Sequence, residues 1–245
     1  MLTYSSVSRP GSRPVNEDFV AGLKNADKYL FVLCDGLGGH GSGNVASETA
    51  AKAFADIFKK NDGDIVSFYN LAYAEAQKRI IDLQDSDESM SMMKTTLVSL
   101  LIDGEICSWS HIGDSRLYYF SGGKLVCRTA DHSVPQMLYK SGEISEGEIR
   151  FHPDRNKLLR ALGDPEKGPQ FTISDITELD SDSAFLLCSD GFWEYITEDM
   201  MEELLSQSRD AEGWLIKMTD IVEQNNAGEK SDNYSAVAVM TGEDC

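Results

Sequence analysis

Four aspartates stand beside strand-like runs, at positions where turns are expected: Asp35, Asp114, Asp190 and Asp232. The apolar run 29–34 leads directly into the first, and a near-identical run, 184–188, leads to the third. A lone aspartate at a strand end is usually turn chemistry, but four in similar contexts indicate a shared role. Clustered carboxylates repel each other unless a cation neutralises them, and hard oxygen ligands with few histidines favour Mg²⁺ or Mn²⁺ over zinc. The sequence therefore predicts a metal centre built from several carboxylates.

The glycine-rich stretch after Asp35 offers an alternative interpretation, because residues 36–41 (GLGGHG) satisfy the G-x-G-x-x-G pattern of dinucleotide-binding proteins. That fingerprint requires a second parallel strand that ends on an acidic residue. Here the first predicted helix runs into a second one, and Asp56, at about the right distance, lies inside the helical pattern. No Lys-Ser or Lys-Thr pair closes the turn as in a phosphate-binding P-loop. The pattern is better explained as a turn whose backbone approaches a ligand closely.

The elements that position these aspartates form two groups. Residues 95–102 and 105–112 predict a hairpin around Asp103-Gly104, and three further strands are predicted at 116–120, 124–129 and 233–241. Apolar residues recur with helical period from Val45 to Phe58 and from Ile65 to Leu83, and later helices are expected at 198–207 and 212–225. Helix pairs on either side of an antiparallel strand block predict an α+β fold, with helices covering two antiparallel sheets packed as a sandwich.

Bulk composition excludes some classes of partner. The 245 residues carry 41 acidic and 22 basic side chains, a formal charge of −19, which disfavours nucleic acid and anionic membrane surfaces as partners. No apolar run approaches the ~20 residues of a membrane span, and no segment resembles a signal peptide. The five cysteines contain no CxxC pair and are interpreted as reduced and mostly buried. We therefore expect a cytoplasmic protein.

The motifs, in their order along the chain, resemble the metal-dependent Ser/Thr protein phosphatases of the protein phosphatase 2C family, in their bacterial form. They are residues 13–18 (RPVNED), 35–41 (DGLGGHG), 46–47 (AS), 95–96 (TT), 113–116 (GDSR), 131–133 (DHS), 152–156 (HPDRN), 160–163 (RALG), 189–191 (SDG) and 232–233 (DN). Each is weak alone, but the ordered set is specific and spans almost the whole chain. The resemblance implies one catalytic domain over residues 1–245, in which helix pairs flank a β-sandwich in four layers. It also implies that about residues 141–160 form the family's flap.

The resemblance also implies a set of metal ligands. Asp35 would bridge two metal ions, with the Gly36 carbonyl as a further ligand, and Asp190 and Asp232 would hold the other ion. Asp114 matches the acidic residue that helps to bind a weaker third ion. Glu17 and Asp18 match residues that act mainly through water around the metals. The implied ions are Mn²⁺ or Mg²⁺, two per chain with a third at the weaker site.

The remaining site residues implied by the resemblance concern phosphate and protons. Arg13 stands four residues before Glu17, where the family places an arginine that grips the substrate phosphate. Many eukaryotic members have a histidine after Asp-Gly as general acid; here Leu37 stands there, and His40 is the nearest histidine, with proton donation and a loop-packing role equally open. Glu194 occupies the position where the family often carries an aspartate near the third metal.

The implied activity is dephosphorylation of phosphoserine and phosphothreonine proteins by water that the metal centre activates. The expected partners are phosphorylated proteins, those of a cognate Ser/Thr kinase, and we expect a monomer. Two alternatives stay open: a small-molecule phosphomonoester hydrolase on the same scaffold, and a pseudophosphatase that binds phosphoproteins without turnover. The second would show a lost core aspartate, and none is lost. Cys34 is not interpreted as a nucleophile, because the Cys-x5-Arg pattern of cysteine phosphatases is absent after it.

Overall fold

A computed structural model describes residues 2–38, 42–60, 63–226 and 231–242. The strands are β1 (Leu2–Arg9), β2 (Asp18–Asn25), β3 (Lys28–Leu37), β4 (Lys94–Thr95), β5 (Leu97–Asp103), β6 (Ile106–Ile112), β7 (Arg116–Ser121), β8 (Lys124–Arg128), β9 (Thr172–Ile173), β10 (Thr177–Glu178), β11 (Ala184–Cys188) and β12 (Tyr234–Thr241). The helices are α1 (Gly43–Lys60), α2 (Ile65–Ser86), α3 (Val134–Ser141), α4 (Glu146–Ile149), α5 (Asp190–Trp193), α6 (Glu198–Ser206) and α7 (Ala211–Asn225).

The strands form two antiparallel sheets. One sheet has the order β1-β12-β11-β7-β8; the other has the order β10-β6-β5-β3-β2, with β4 paired to β3 and β9 paired to β6. The predicted hairpin is confirmed as β5 and β6, and Gly104 in its turn has a φ of +61°, a left-handed conformation that glycine adopts without strain. Short turns join β2 to β3, β5 to β6 and β7 to β8, whereas β1, β11 and β12 pair with strands far away in sequence.

Three clusters of buried apolar side chains define four layers. One cluster joins α1 and α2 to the outer face of the β3 sheet, and another joins α5, α6 and α7 to the outer face of the β11 sheet. The third lies between the sheets, where Phe31 and Leu33 face Phe185 and Leu187. The continuous apolar runs of β3 and β11 are explained by this arrangement, because each strand is buried on both faces. The predicted α+β sandwich flanked by helices is confirmed.

The structure differs from the sequence-based expectations at several elements, among them the end of β3, the strands β1 and β2, and the short elements β4, β9, β10, α3, α4 and α5. The strand predicted to end before Asp35 continues through it as far as Leu37, so that Asp35 lies within β3 and pairs in register with Asp18 of β2. The strands β1 and β2 were not predicted, because their polar and apolar residues mix without a clear period. The late helices and the final strand begin and end within about one residue of the expected bounds.

The described cysteines are free thiols, and burial raises the pKa of Cys34 well above its ordinary value. A thiol in that state is inert as a nucleophile, as the sequence suggested. No helix among the described residues is both long and apolar enough to cross a membrane.

Candidate metal centre

A cavity of about 200 Å³ at one end of the sandwich collects most of the predicted site residues. Its walls include Arg13, Glu17, Asp35, Gly36, Asp114, Asp190 and Asp232. These residues come from both sheets and from segments more than 200 positions apart in sequence, which the packing of the two sheets brings to one place. Asp18 is not among the lining residues and lies buried beside them. The predicted catalytic residue His40 lies outside the described residues.

The backbone around Asp35 is held by two threonines of the neighbouring β4–β5 segment. Asp35 N donates to Thr96 Oγ1 at 3.1 Å, and Asp35 O accepts from Thr95 Oγ1 and from Thr96 N, both at 2.9 Å. Thr96 Oγ1 is in turn 2.7 Å from Ser115 Oγ, in the turn that carries Asp114. The backbones that carry Asp35 and Asp114 are therefore fixed relative to each other by hydroxyl hydrogen bonds.

Asp18 is an incompletely satisfied buried carboxylate. Its Oδ2 accepts a hydrogen bond of 2.8 Å from Ser189 Oγ, but its Oδ1 is buried without a hydrogen-bond partner. Burial raises the pKa of Asp18 to about 7, and the charges of Asp190 and Asp232 add to the rise. A buried oxygen without a partner costs free energy, so this carboxylate points to a missing donor, such as water, or a cation.

The ionised forms of the other central carboxylates are also disfavoured by burial and by neighbouring charges. Burial, followed by the charge of Asp18 and then of Asp190, raises the pKa of Asp35 well above its ordinary value. Burial and the charge of Asp232 raise the pKa of Asp190 to about 6, and burial and Asp190 raise that of Asp114. Several acids that each disfavour the ionised form of the others are typical of a cation-binding site.

Buried side chains also support the backbone at Asp114. Trp193 Nε1 donates to the Asp114 carbonyl at 3.0 Å, and the Arg116 guanidinium lies 3.5 Å from the centre of the Trp193 ring. Arg116 also makes two hydrogen bonds with Asp131, of 2.9 and 2.7 Å. This bidentate, buried ion pair fixes the turn that presents Asp114 to the cavity.

At the rim, the predicted phosphate-binding residue contacts a predicted metal ligand. Arg13 Nη2 donates to Asp232 Oδ2 at 2.9 Å. Asn233, next to Asp232, accepts from Glu17 N at 2.8 Å and donates to the carbonyls of Pro10 and Val15. Asn233 thereby fastens the loop that carries Arg13 and Glu17 to the start of β12. The motif containing Asn233 was visible in the sequence, but this fastening role was not.

Two glycines explain how the chain closes around the site. A Cβ at Gly36 would lie 2.2 Å from the Gly43 carbonyl oxygen, and a Cβ at Gly191 would lie 2.0 Å from the Asn233 carbonyl oxygen. Either contact is too short for any other residue without a backbone shift. Glu17 Oε1 accepts from Gly43 N at 3.1 Å, at the first turn of α1, where a carboxylate is favoured. In this conformation the Glu17 carboxylate is bound to the N-terminal end of α1.

The predicted flap contributes to the site through three residues. Asn156 and Leu158 line the cavity, and Arg155 Nε donates to Glu194 Oε1 at 2.7 Å. Burial, then the charge of Asp190, raises the pKa of Glu194 to about 7, against the opposing effect of Arg155. Glu194, proposed from the resemblance to lie near a third metal, is in this structure the anchor for a flap arginine.

The donor set suits a hard cation, although some of its members also make other contacts. In the described part of the chain, no three Asp, Glu, His or Cys side chains converge in the geometry that a metal ion requires. Two candidate carboxylates are engaged elsewhere, Glu17 with Gly43 and Asp232 with Arg13. The described part of the lining nevertheless offers oxygen donors and no thiol or imidazole, and Asp18 has an unsatisfied oxygen beside it. These features fit Mg²⁺ or Mn²⁺.

Comparison with known proteins agrees with this geometry. The chain is 33% identical to the serine/threonine phosphatase stp of Listeria innocua, over 79% of each chain, and 29% identical to the protein phosphatase PhpP of Streptococcus pneumoniae, over 95% and 94%. The catalytic domain of the serine threonine protein phosphatase PstP, solved in complex with two manganese ions, superimposes with a TM-score of 0.84 at 28% identity and covers 99% of both chains. The family model for protein phosphatase 2C matches residues 11–233. This chain belongs to the protein phosphatase 2C family.

Proposed function

We propose that the chain is a serine/threonine protein phosphatase that depends on two divalent metal ions, Mn²⁺ or Mg²⁺, with a third, weaker site. The observation that carries the proposal is the convergence of five acidic side chains and one arginine in one cavity. The acids alone would destabilise the fold, since several of their pKa values are raised by burial and by each other. Relatives that are 33% identical to this chain are named serine/threonine phosphatases, and one of them was solved with manganese.

In this proposal the chain's own residues hold and orient the ions. Asp35, on a strand fixed by Thr95 and Thr96, would bind both ions, and the Gly36 carbonyl, held close to Gly43, would add a ligand. Asp190 and Asp232 would complete the pair, and Asp114 would serve the third site. With two such ions bound, the site would supply a water acidic enough to act as a nucleophile and would neutralise the charge of a phosphate ester.

Glu17, Asp18 and Arg13 would act around this centre. Asp18, buried with an unsatisfied oxygen, and Glu17, at the rim, would accept hydrogen bonds from water around the ions. Arg13 would bind the substrate phosphate, since its planar guanidinium matches phosphate oxygens with two parallel hydrogen bonds. To do so it must leave Asp232, which is then free to bind metal. His40 stays a prediction as proton donor to the leaving group.

The proposed substrates are phosphoserine and phosphothreonine residues of proteins phosphorylated by a cognate kinase. The test is turnover of phosphothreonine peptides by the Mn²⁺-loaded protein, compared with a panel of small phosphate esters. We expect higher kcat/KM on the peptides and loss of all turnover in a chelator. Higher kcat/KM on one small ester would instead identify a small-molecule phosphomonoesterase. Binding of phosphopeptide without turnover in saturating Mn²⁺ would identify a pseudophosphatase.

A further inference from the structure

A second cavity, of about 340 Å³, lies away from the metal centre at the side of the sandwich. It is bounded by β6 and β9 of one sheet, by the end of β8 in the other, and by the last turn of α3. Its described lining shares no residue with the lining of the metal-centre cavity. Its volume is within the range of small-molecule sites and is much larger than a bare anion needs.

The charge of this second cavity is opposite to that of the chain as a whole. Arg128, Lys140 and Arg160 line it, and no acidic side chain appears in its described lining, although the protein carries a net charge of −19. Within the described ranges, Lys140 and Arg160 form no ion pair, and the Arg160 guanidinium makes only one long hydrogen bond, 3.4 Å, to the Gln170 carbonyl. Arg128 pairs with Glu146, whose side chain is 57% exposed, and such a pair contributes little free energy. Lys140 and Arg160 are therefore available to an incoming anion, whereas Arg128 is already engaged by Glu146 and the Thr129 carbonyl.

Three side chains with planar rings also line this cavity: Trp109, His111 and His132. The rings of His111 and His132 are stacked, with centroids 4.5 Å apart and an interplanar angle of 11°. Trp109 packs on Tyr119 and Phe185 and also borders the cavity, where it is partly exposed. A rigid indole at the mouth of a basic cavity offers an apolar surface on which a planar group can rest.

The hydrogen bonds of His132 define the tautomer of its neutral ring. Its Nδ1 accepts from Gly113 N at 3.3 Å, so the proton of the neutral ring is on Nε2, which lies 3.0 Å from Thr172 Oγ1. Burial lowers the pKa of His132 to about 3, and the positive charges of Arg160 and Lys140 add to this effect. The nearest acid that acts on the stacked partner His111 is Asp131, which is held by Arg116. The positive field of the cavity is therefore largely uncompensated.

We propose that this cavity is a binding site for a small phosphorylated molecule of nucleotide size. Lys140 and Arg160 bind the phosphate group, and the planar part of the ligand rests against Trp109. Charge-assisted hydrogen bonds from two unpaired cations supply the specificity for phosphate, and the cavity volume accommodates a ring in addition. The site is separate from the metal centre and does not depend on the proposed phosphatase activity.

The test is calorimetric titration of the Mg²⁺-loaded protein with the phosphonate analogue of adenosine monophosphate, which the metal centre cannot hydrolyse. Lys140→Gln and Arg160→Gln should each weaken binding about tenfold, the loss expected for one charge-assisted hydrogen bond. Lys52→Gln, which removes an exposed lysine from α1, is the matched control and should bind normally. Arg13→Ala should also bind normally. Adenosine should bind at least tenfold more weakly than the phosphonate, and inorganic phosphate should bind more weakly but respond to the same variants.

A second measurement uses the wild-type protein and therefore does not depend on variants that could fail to fold. In the wild-type protein, the ring proton resonances of His111 and His132 should shift on titration, and those of His152, which does not line the cavity, should not. Adenosine binding as tightly as the phosphonate, or inorganic phosphate doing so, would overturn the proposal. Loss of binding in Arg13→Ala but not in Lys140→Gln, unmoved histidine resonances, or no binding at all would equally overturn it.

Discussion

The Arg13 guanidinium and the Asp232 carboxylate form an ion pair at the rim of the metal-centre cavity, with 2.9 Å between Nη2 and Oδ2. One is the residue expected to bind phosphate and the other a residue expected to bind metal, so neither is free for its proposed role. A metal ion that takes Asp232 releases Arg13. The pair therefore predicts an order of events, in which metal loading precedes tight phosphate binding.

Arg13→Ala tests this competition. We expect KM to rise about tenfold or more, because a charge-assisted contact to phosphate is lost, with a smaller effect on kcat. We also expect Mn²⁺ to bind more tightly, by up to about fivefold, since a half-exposed ion pair is worth about 1 kcal/mol or less. Steady-state kinetics and calorimetry measure the two effects. Arg9→Ala, at an arginine whose side chain, among the described residues, bonds only its neighbour's carbonyl, is the control, and unchanged Mn²⁺ affinity in Arg13→Ala would contradict the competition.

Asp35→Asn removes the carboxylate proposed to touch both ions. Turnover should fall by at least about 10³-fold, because the nucleophile and the neutralised phosphate both depend on the metal pair. Calorimetry should show that tight Mn²⁺ binding is lost, while the circular dichroism spectrum stays native. Asp82→Asn, at an exposed carboxylate of α2 that pairs with Lys78, should behave as wild type. Two tightly bound Mn²⁺ ions with near-normal turnover in Asp35→Asn would leave this aspartate as a structural residue only.

The stability of the metal-free protein should rise as the pH falls from about 8 to about 6.5. The pKa of Asp18 and of Glu194 is raised to about 7, and that of Asp35 is also raised, so the folded protein binds more protons than the unfolded chain in this window. Below about pH 6.5 the rise should flatten, because the lowered pKa values of His111 and His132 act in the opposite direction.

Thermal melts in a chelator measure this pH effect, with Mn²⁺-loaded protein as the reference. Bound metal keeps the carboxylates ionised, so the loaded protein should show no such rise. Asp18→Asn should reduce the rise in the metal-free protein. A melting temperature of the metal-free wild type that drops between pH 8 and pH 6.5 would rule out the proposed proton uptake.

The flap should loosen when its ion pair is removed. Arg155 bonds Glu194, whose side chain is only 15% exposed, so Arg155→Ala should speed hydrogen exchange of the backbone around residues 150–158. Lys157→Ala removes an exposed ion pair within the same segment, to Asp154, and serves as the matched control. Equal exchange in the two variants would show that the Glu194 contact does not hold the flap.

The layered fold could be predicted because its strongest signals are local. Continuous apolar runs identified β3 and β11, the Asp-Gly turn identified the β5–β6 hairpin, and helical period identified α1 and α2. The strands β1 and β2 escaped prediction because both carry mixed burial along their length. The strand β3 passes Asp35 because Asp18 pairs with it across the sheet, a contact that no local pattern contains.

The sequence indicated which residues would lie near one another at the candidate site, His40 being outside the described residues, but it did not indicate their contacts. The ordered motifs pointed to aspartates that the structure brings to one cavity. The side-chain partners of Glu17, Glu194 and Asp232 are residues far away in sequence or on another element: Gly43, Arg155 and Arg13. Such pairings are decided by tertiary geometry and by charges that no single segment carries.

The hydrogen bond from Gly113 N to His132 Nδ1 links two parts of the molecule that otherwise share no lining residue. The ring borders the basic cavity, and the donor immediately precedes Asp114 of the metal centre. Coupling between two binding sites is reciprocal. If a ligand in one cavity displaces this ring and thereby alters the other cavity, each ligand changes the affinity of the other by the same factor. The amount of metal bound at a fixed metal concentration would then report the concentration of the phosphorylated molecule.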